Sequence, residues 1–395
     1  MTCGGTSLLL PVPPEDPIAR AAPVRKGVWT SHDELQSLPV SGPAWKSLMA
    51  AADKPIERPK LRDQNDTVDV HVLAKALVYS RTQEARYRDD VVSACREAIG
   101  TEAGGSCLGL GRNIAAYVIA ADLVKLPDDQ DVRFRAWLRE QLVAIHEGQS
   151  LRSTHEDRPN NWGTHAGGSR AAIARYLGDA LELERTARVF KGWLGDRAAY
   201  SGFRYRDLSW QADSAHPAGV NPKGATKEGH SIDGVLPDDQ RRGGKFRWPP
   251  AKENYVYEAM QGALLQAVVL HRAGFAVWDW EDKALLRAFR WLHDEASFPA
   301  VGDDTWQPHV MNYFYGTAFP APVPARPGKN VGWTDWTLGK PMDTGTQDPT
   351  KSDEARKDAA VKYAGWRKIV STRRSVCDPE PPVVPHPPKM NSAKS

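Results

Sequence analysis

Apolar residues recur at intervals of three and four along most of the chain, and this spacing is typical of α-helices. The run at 110–126 is almost wholly apolar, so it predicts an inner helix that is buried on all sides. The alternation of apolar and polar residues that marks strands is nearly absent. Together these patterns predict an all-α protein. Helices are expected over residues 68–82, 87–99, 110–126, 128–148, 161–178, 180–195, 252–274 and 280–296.

Buried and amphipathic helices alternate in this series and are joined by short connections. The alternation favours helical hairpins set around a ring, which is an incomplete (α/α) toroid with a central cleft. A stacked helical solenoid is the alternative, but no fixed sequence period supports it. We expect the toroid to span residues 41–342, after an extended segment at 1–40. The Pro-rich and polar composition of 343–395 predicts a mostly disordered tail with one short helix near 359–368.

One long section, residues 197–251, breaks the helical pattern. It is rich in Gly, Pro, Asp and Arg, and long irregular insertions inside a compact domain usually have a function. It lies between a helix that starts near Asn160 and the helix that contains Tyr255. We therefore expect this loop and both helices to border one cleft.

Composition narrows the class of protein. The formal net charge is only +3, with a sequence pI near 8.5, and no basic tract of the kind that binds nucleic acid is present. The sequence has no run of 18 or more apolar residues, so no transmembrane helix is predicted. The N-terminus is a poor secretory signal. The four cysteines do not have the spacing of a zinc site, and their spacing leaves open whether Cys95 and Cys107 are bridged.

The stretch NNWGTHAGGS is an unusual beginning for a helix. If the helix starts near Asn160, then Asn161 and His165 are four residues apart and share one face. A helix N-terminus also favours negative charge. These features predict a holder for an anionic group. The simpler alternative is that Asn160 only caps the helix and His165 is a buried core residue.

The residue types around the loop match the needs of β-elimination from a uronic acid. The enzyme must remove the hydrogen at C5, beside a carboxylate whose charge must be shared by amides, Arg or a protonated His. A Tyr or His then accepts the proton, and a group of the same type protonates the leaving oxygen. The residues that supply these groups are Asn160, Asn161, His165, His230, Arg241, Arg242, Tyr255 and Tyr257.

Other catalytic patterns are weaker. No G-x-S-x-G motif and no phosphate-binding loop is present. Asp238 and Asp239 offer two carboxylates, but adjacent residues usually point apart, whereas glycoside hydrolysis needs a defined separation across the sugar.

Three motifs, NNWGTHAGGS, DGVLPDDQRR and ENYVYEAMQGALL, together resemble the helical-toroid alginate lyases, which are the poly-mannuronate lyase group and its glucuronan-cleaving relatives. The resemblance covers roughly residues 65–320. It implies that Asn161 binds the substrate carboxylate, with Arg241 or Arg242 as the catalytic Arg. It also implies that Tyr255, four residues before Ala259, is the base and the acid.

Two positions within these motifs, Trp162 and Tyr257, have expectations of their own. In the family a His follows the second Asn, whereas this chain has Trp162 there, and we expect His165, about one turn further on, to reach the same cleft. Tyr257 is two residues after Tyr255, about 200° around a helix axis, so the two phenols do not share a face.

The sequence thus predicts a polysaccharide lyase that needs no metal or cofactor and acts on an anionic polysaccharide of the alginate or glucuronan type. The resemblance implies a periplasmic or secreted location, and the oligomeric state is left open. A non-catalytic carbohydrate-binding toroid is one alternative. The other is a metal-dependent glycan hydrolase with His165, His230, Asp233 and Asp238 as ligands. The residues expected to bind substrate around the catalytic set are Asn160, Trp162, His230, Arg112, Trp210, Tyr257 and Lys252.

Overall fold

The computed structural model describes residues 17–253 and 255–339, so the predicted tail at 343–395 and its short helix near 359–368 lie outside the described residues. Within the described ranges the protein is all-α, as predicted, with one two-stranded sheet. In chain order the helices are α1 (His32–Gln36), α2 (Gly42–Ala52), α3 (Val68–Thr82), α4 (Ala85–Ala98), α5 (Cys107–Val124), α6 (Asp128–Gln141), α7 (Leu151–Asp157), α8 (Asn161–Leu177), α9 (Ala180–Leu194), α10 (Pro237–Gln240), α11 (Val256–Arg272), α12 (Trp280–Arg290), α13 (Gln307–Tyr315) and α14 (Thr334–Thr337).

The segment at 1–40 is not wholly extended, because its described part contains α1. Ser31 and Glu34 form a capping box that stabilises this five-residue helix. Arg272, at the end of α11, donates to Glu34 from Nη2 at 3.0 Å. The backbone N–H of Arg25 also donates to the carbonyl of Arg272 at 2.8 Å. Residues near the N-terminus therefore pack onto the folded body.

Four helices form the buried interior. Helices α3, α5, α8 and α11 are buried along most of their length, and each packs on the next in the order α3, α5, α8, α11. Helix α4 packs against α3, whereas α7 and α9 pack against α8. This arrangement of an inner row with outer partners is compatible with the predicted toroid.

The small residues of α8 allow it to fit closely between α5 and α11. A Cβ on Gly111 of α5 would lie 3.0 Å from the backbone nitrogen of Ala166, and one on Gly262 of α11 would collide with the backbone at His165. Only glycine permits backbones to approach this closely. Gly111 and Gly262, which face α8 from its two neighbouring helices, therefore have a packing role.

The long loop at 197–251 is irregular, as predicted, but it is internally bonded. It contains α10 and a short antiparallel hairpin of β1 (Thr226–Lys227) and β2 (His230–Ser231). The buried Asn221 ties the loop together, because its side chain bonds to Ala212 and Trp210. Its carbonyl accepts from Arg287 of α12 at 2.8 Å.

One helix in the described part of the chain, α5, is long and apolar enough to cross a membrane by length and composition alone. In the fold, 89% of that segment is buried against other helices. Packing therefore accounts for its apolar surface. Cys95 and Cys107, which the sequence left open, are both buried free thiols.

Candidate active site

A groove with a volume of about 570 Å³ opens at the start of α8, within the usual range of about 300–1,000 Å³ for ligand pockets. Five arginines and two aspartates contribute its charged lining, so positive charge predominates. The groove therefore suits an anionic ligand. The charged lining residues are Arg158, Arg204, Arg206, Arg241, Arg242, Asp157 and Asp238.

One wall of the groove is built by the turn that enters α8. The Asn160 side chain caps the helix by accepting from the backbone nitrogen of Trp162 at 3.2 Å. The Arg158 guanidinium lies 4.6 Å from the centre of the Trp162 ring and also donates to Gln149 at 2.7 Å. Asn160 and Trp162 thus line the groove.

Two neighbouring arginines on another wall have different environments. Arg241 makes a two-pronged ion pair with the buried Asp238, at 2.7 and 3.1 Å. Arg242 is exposed, and its guanidinium lies 4.3 Å from the centre of the Tyr255 ring. Among the described residues, no carboxylate lies within ion-pair distance of Arg242 or Arg206. Arg242, rather than Arg241, is therefore the cation available beside the phenol.

Tyr255 stands immediately before α11 and is 42% exposed. Tyr257 has the opposite environment, as the helical geometry predicts. It is 2% exposed, and its hydroxyl donates to the carbonyl of Phe298 at 2.7 Å. The prediction that Tyr257 binds substrate is therefore wrong, because its side chain is part of the core.

The N-terminus of α8 is already bonded to a carboxyl group of the protein itself. Asp239 of α10 is fully buried, and its Oδ1 accepts from the backbone nitrogen of Asn161 at 3.0 Å. This backbone N–H is therefore already bonded within the protein, and the prediction that Asn161 binds the substrate rests on its side chain. Asn161 is itself buried, and its side-chain oxygen makes no hydrogen bond to the described residues.

His165 and Arg112 belong to an inner cluster behind the groove. Nη1 of Arg112 donates to Glu258 at 2.5 Å, and Nε2 of His165 lies 3.7 Å from the same carboxylate oxygen. Nδ1 of His165 is 2.8 Å from the Asn330 amide. In the amide orientation that satisfies all partners, the Asn330 oxygen accepts from Nδ1 and its nitrogen donates to the carbonyls of Gly111 and Arg112.

This environment changes the expected role of His165. Complete burial lowers the pKa of His165, which favours a neutral imidazole. A neutral ring does not neutralise a substrate carboxylate. Burial also acts on Glu258, but the nearby His165 and Arg112 prevail and lower its pKa, so it is ionised. Arg112 is consequently paired with an internal carboxylate.

Two further carboxyl groups extend this cluster, and sequence reasoning missed both. Burial raises the pKa of Glu253 and of Asp304 to about 7; repulsion by Asp304 adds to the effect on Glu253, and repulsion by Glu258 adds to the effect on Asp304. Asp304 accepts at 3.0 Å from the side-chain nitrogens of Gln261 and Gln307. Glu253 is the first residue of the ENYVYEAMQGALL motif, so the sequence could have indicated it. Asp304 is distant in the sequence, and only the fold brings it near Glu253.

Three other residues predicted to bind substrate lie outside the groove. Trp210 is 2% exposed and packs against Phe246 and Trp291, so its predicted binding role is wrong. His230 lies in β2 and stacks on Trp248 at 4.7 Å. Lys252 is exposed, and its carbonyl accepts from Gln240 at 2.9 Å.

The ligands suggested for a metal-dependent hydrolase have separate neighbours. His165 faces Glu258, Asp233 pairs with Arg287 at 2.5 Å, and Asp238 pairs with Arg241. Over residues 17–253 and 255–339, no group of three or more His, Cys, Asp or Glu side chains has the arrangement of a metal site. The fold therefore does not assemble this ligand set.

His165→Ala is expected to lower thermal stability, in contrast to a purely catalytic role. The substitution removes a fully buried ring and its bond to the Asn330 amide, and it leaves Glu258 with Arg112 as its partner. Buried large-to-small substitutions typically cost about 2–5 kcal/mol. Thermal unfolding of His165→Ala and of a control, His230→Ala, measures the effect. An unchanged midpoint for His165→Ala would contradict its structural role.

Comparisons with protein-family models and with curated proteins found no match to this chain. The fold and the groove define an all-α protein with an arginine-lined groove. Any more specific assignment depends on the chemistry of that site.

Proposed function

We propose that this protein is a polysaccharide lyase that cleaves a uronate polymer by β-elimination. The observation that carries the proposal is the exposed Tyr255 with Arg242 over its ring, where Arg242 also lines the arginine groove. A phenol beside a guanidinium is a proton-transfer group next to a positive charge. The groove provides further cations for the carboxylates of a polymer.

The reaction needs few protein groups. Arginine and amide donors stabilise the negative charge that develops on the substrate carboxylate as the C5 proton leaves. The Tyr255 phenolate takes that proton, a double bond forms between C4 and C5, and the C4–O bond breaks. Tyr255 then returns the proton to the leaving oxygen. The products are a saturated chain end and an unsaturated uronate, so no water is consumed.

The three motifs that resemble the helical-toroid alginate lyases agree with this assignment in part. Asn160 and Arg242 line or border the groove, and Tyr255 lies beside Arg242. His165 lies in the inner cluster, where it bonds to Asn330. The proposed substrate is therefore an anionic polysaccharide of the mannuronate or glucuronate type, with Tyr255 and Arg242 as the principal catalytic residues.

The test is product formation by the purified full-length chain. We expect an ultraviolet-absorbing unsaturated product from at least one of polymannuronate, polyguluronate, glucuronan and hyaluronan, with the same yield when chelator is added. Polymer binding without any product would instead identify a carbohydrate-binding module. No binding and no product with all four polymers would reject the proposal.

A specific observation favours glycoside hydrolysis as the second candidate. Glu253 and Asp304 have pKa values of about 7, whereas Glu258, in the same cluster, is ionised. Carboxyl groups whose pKa values are separated in this way are typical of acid and base pairs. Hydrolysis would give new reducing ends without ultraviolet absorption, so the same incubation separates the two reactions.

A further inference from the structure

Asp239 is a buried carboxyl group that the proposed mechanism does not use. It is 0% exposed, and one oxygen accepts from the backbone nitrogen of Asn161. Its other oxygen, Oδ2, is buried and makes no hydrogen bond to the described residues. The side-chain oxygen of Asn161 is also buried and also makes no hydrogen bond to the described residues. Each of these two bonded residues therefore has a buried acceptor without a donor among the described residues.

A proton on Asp239 would satisfy both groups. Burial raises the pKa of Asp239 well above its ordinary value, and the adjacent Asp238 adds to this effect. The hydrogen bond from the Asn161 backbone and the charges of Arg242 and Arg241 lower this pKa, but the effect of burial is larger. A protonated carboxyl has one O–H donor, so Oδ2 can donate to the Asn161 side-chain oxygen while Oδ1 still accepts from the backbone.

The orientation of Asn161 follows from that bond. An amide has an oxygen that accepts and a nitrogen that donates, and the two point in opposite directions. If the oxygen is held by Asp239, the nitrogen is turned away from α10. A donor directed in this way is what a substrate carboxylate requires.

We propose that Asp239 is a positioning residue that carries a proton and holds the Asn161 side-chain oxygen, so that the Asn161 amide nitrogen is presented to the substrate carboxylate. This inference rests on the proposed lyase function. It also links the arginine turn to α8, because Arg241 and Arg242 follow Asp239 by two and three residues.

Two variants separate the proton from the charge. Asp239→Asn keeps one acceptor and one donor at the positions of the protonated carboxyl, whereas Asp239→Ala keeps neither. We expect Asp239→Asn to retain kcat within about threefold. Asp239→Ala should lose about 10–100-fold, as is typical when a supporting hydrogen bond is removed. The loss should appear in kcat more than in KM, because the Asn161 contact strengthens as the charge develops.

Stability against pH gives a readout that does not depend on activity. A carboxyl whose pKa is raised by folding lowers stability progressively as pH rises from its unfolded value, near 4, toward the native value. Asn at this position does not titrate. The unfolding midpoint of Asp239→Asn relative to the unmodified protein should therefore increase between pH 5 and pH 8, by about a few degrees. The control is Asp213→Asn, because Asp213 is exposed and bonds to His216, which lowers its pKa.

The outcomes distinguish this inference from the lyase proposal. If the unmodified protein cleaves none of the polymers, the lyase proposal fails, while the midpoint series still decides the protonation of Asp239. A midpoint difference that is flat or falls with pH would overturn the inference. So would a folded Asp239→Asn variant that is as inactive as Asp239→Ala, because the negative charge would then be the required feature.

Discussion

Tyr255→Phe is expected to abolish the unsaturated product and to leave polymer binding nearly unchanged. The substitution removes only the phenol oxygen, which is the group proposed to accept and return the proton. The ring and its contact with the Arg242 guanidinium at 4.3 Å remain possible. Because Tyr255 is 42% exposed, its replacement should not disturb the core. Absorbance of the product measures the activity, and retention on immobilised polymer measures the binding.

Tyr257→Phe is the matched control, since it removes the same atom two residues further on. The Tyr257 hydroxyl is bonded to the carbonyl of Phe298 inside the core, so its loss should cost stability of about 1 kcal/mol. Activity should stay near normal. If Tyr257→Phe is inactive and Tyr255→Phe is active, the assignment of the base is wrong. Normal activity in both would reject a Tyr base and direct the search to the carboxyl cluster at Glu253 and Asp304.

The helices were largely predictable because their signals are local. Helix α3 has the predicted bounds, 68–82, and the apolar run at 110–126 became the buried α5 at Cys107–Val124. Helix α6 begins at Asp128, where the acidic residues predict a start, but it ends at Gln141 and not at 148. The missed helices, α1, α2, α7, α10, α13 and α14, have eleven residues or fewer, so the apolar pattern of each covers few turns.

The candidate site was predictable only where its contacts are local. Asn160 caps α8 through a bond two residues away, and the sequence predicts such a cap directly. Asp239 reaches Asn161 across 78 positions, and Arg112 reaches Glu258 across 146. No residue pattern shows which distant carboxylate will meet a helix end or an arginine. The predicted site therefore divides in the fold into a groove and an inner cluster.

The two arginines show most clearly that long-range contacts cannot be read from a residue pattern. The motif DDQRR offers both Arg241 and Arg242, and the sequence did not choose between them. In the fold Arg241 is held by Asp238 at 2.7 Å, whereas Arg242 lies over Tyr255. The difference arises from the turn of backbone after α10, where the chain tightens into a 3₁₀ helix at Arg241–Gly243. Only the second arginine is left to act on a substrate.

Arg242→Ala is therefore expected to lower kcat by about two to three decades, which corresponds to about 2.7–4 kcal/mol of transition-state stabilisation. The variant loses the positive charge beside both the phenol and the developing carboxylate charge. Because Arg242 is exposed, the unfolding midpoint should change little. Arg242→Lys should recover part of the activity, since an ammonium supplies the charge but not the planar contact with the ring. Steady-state rates and thermal unfolding of the same preparations measure both effects.

Arg241→Ala should give the reverse pattern. Asp238 is 3% exposed, so removal of its partner leaves a buried carboxylate without its ion pair, and the protein should lose stability. The remaining folded enzyme should retain more turnover than Arg242→Ala, because the Tyr255 contact is intact. The pair of variants is informative because the two residues are adjacent and chemically identical. If Arg241→Ala loses turnover at an unchanged midpoint while Arg242→Ala stays active, the catalytic arginine is Arg241, and the contact between Arg242 and Tyr255 is only a surface contact.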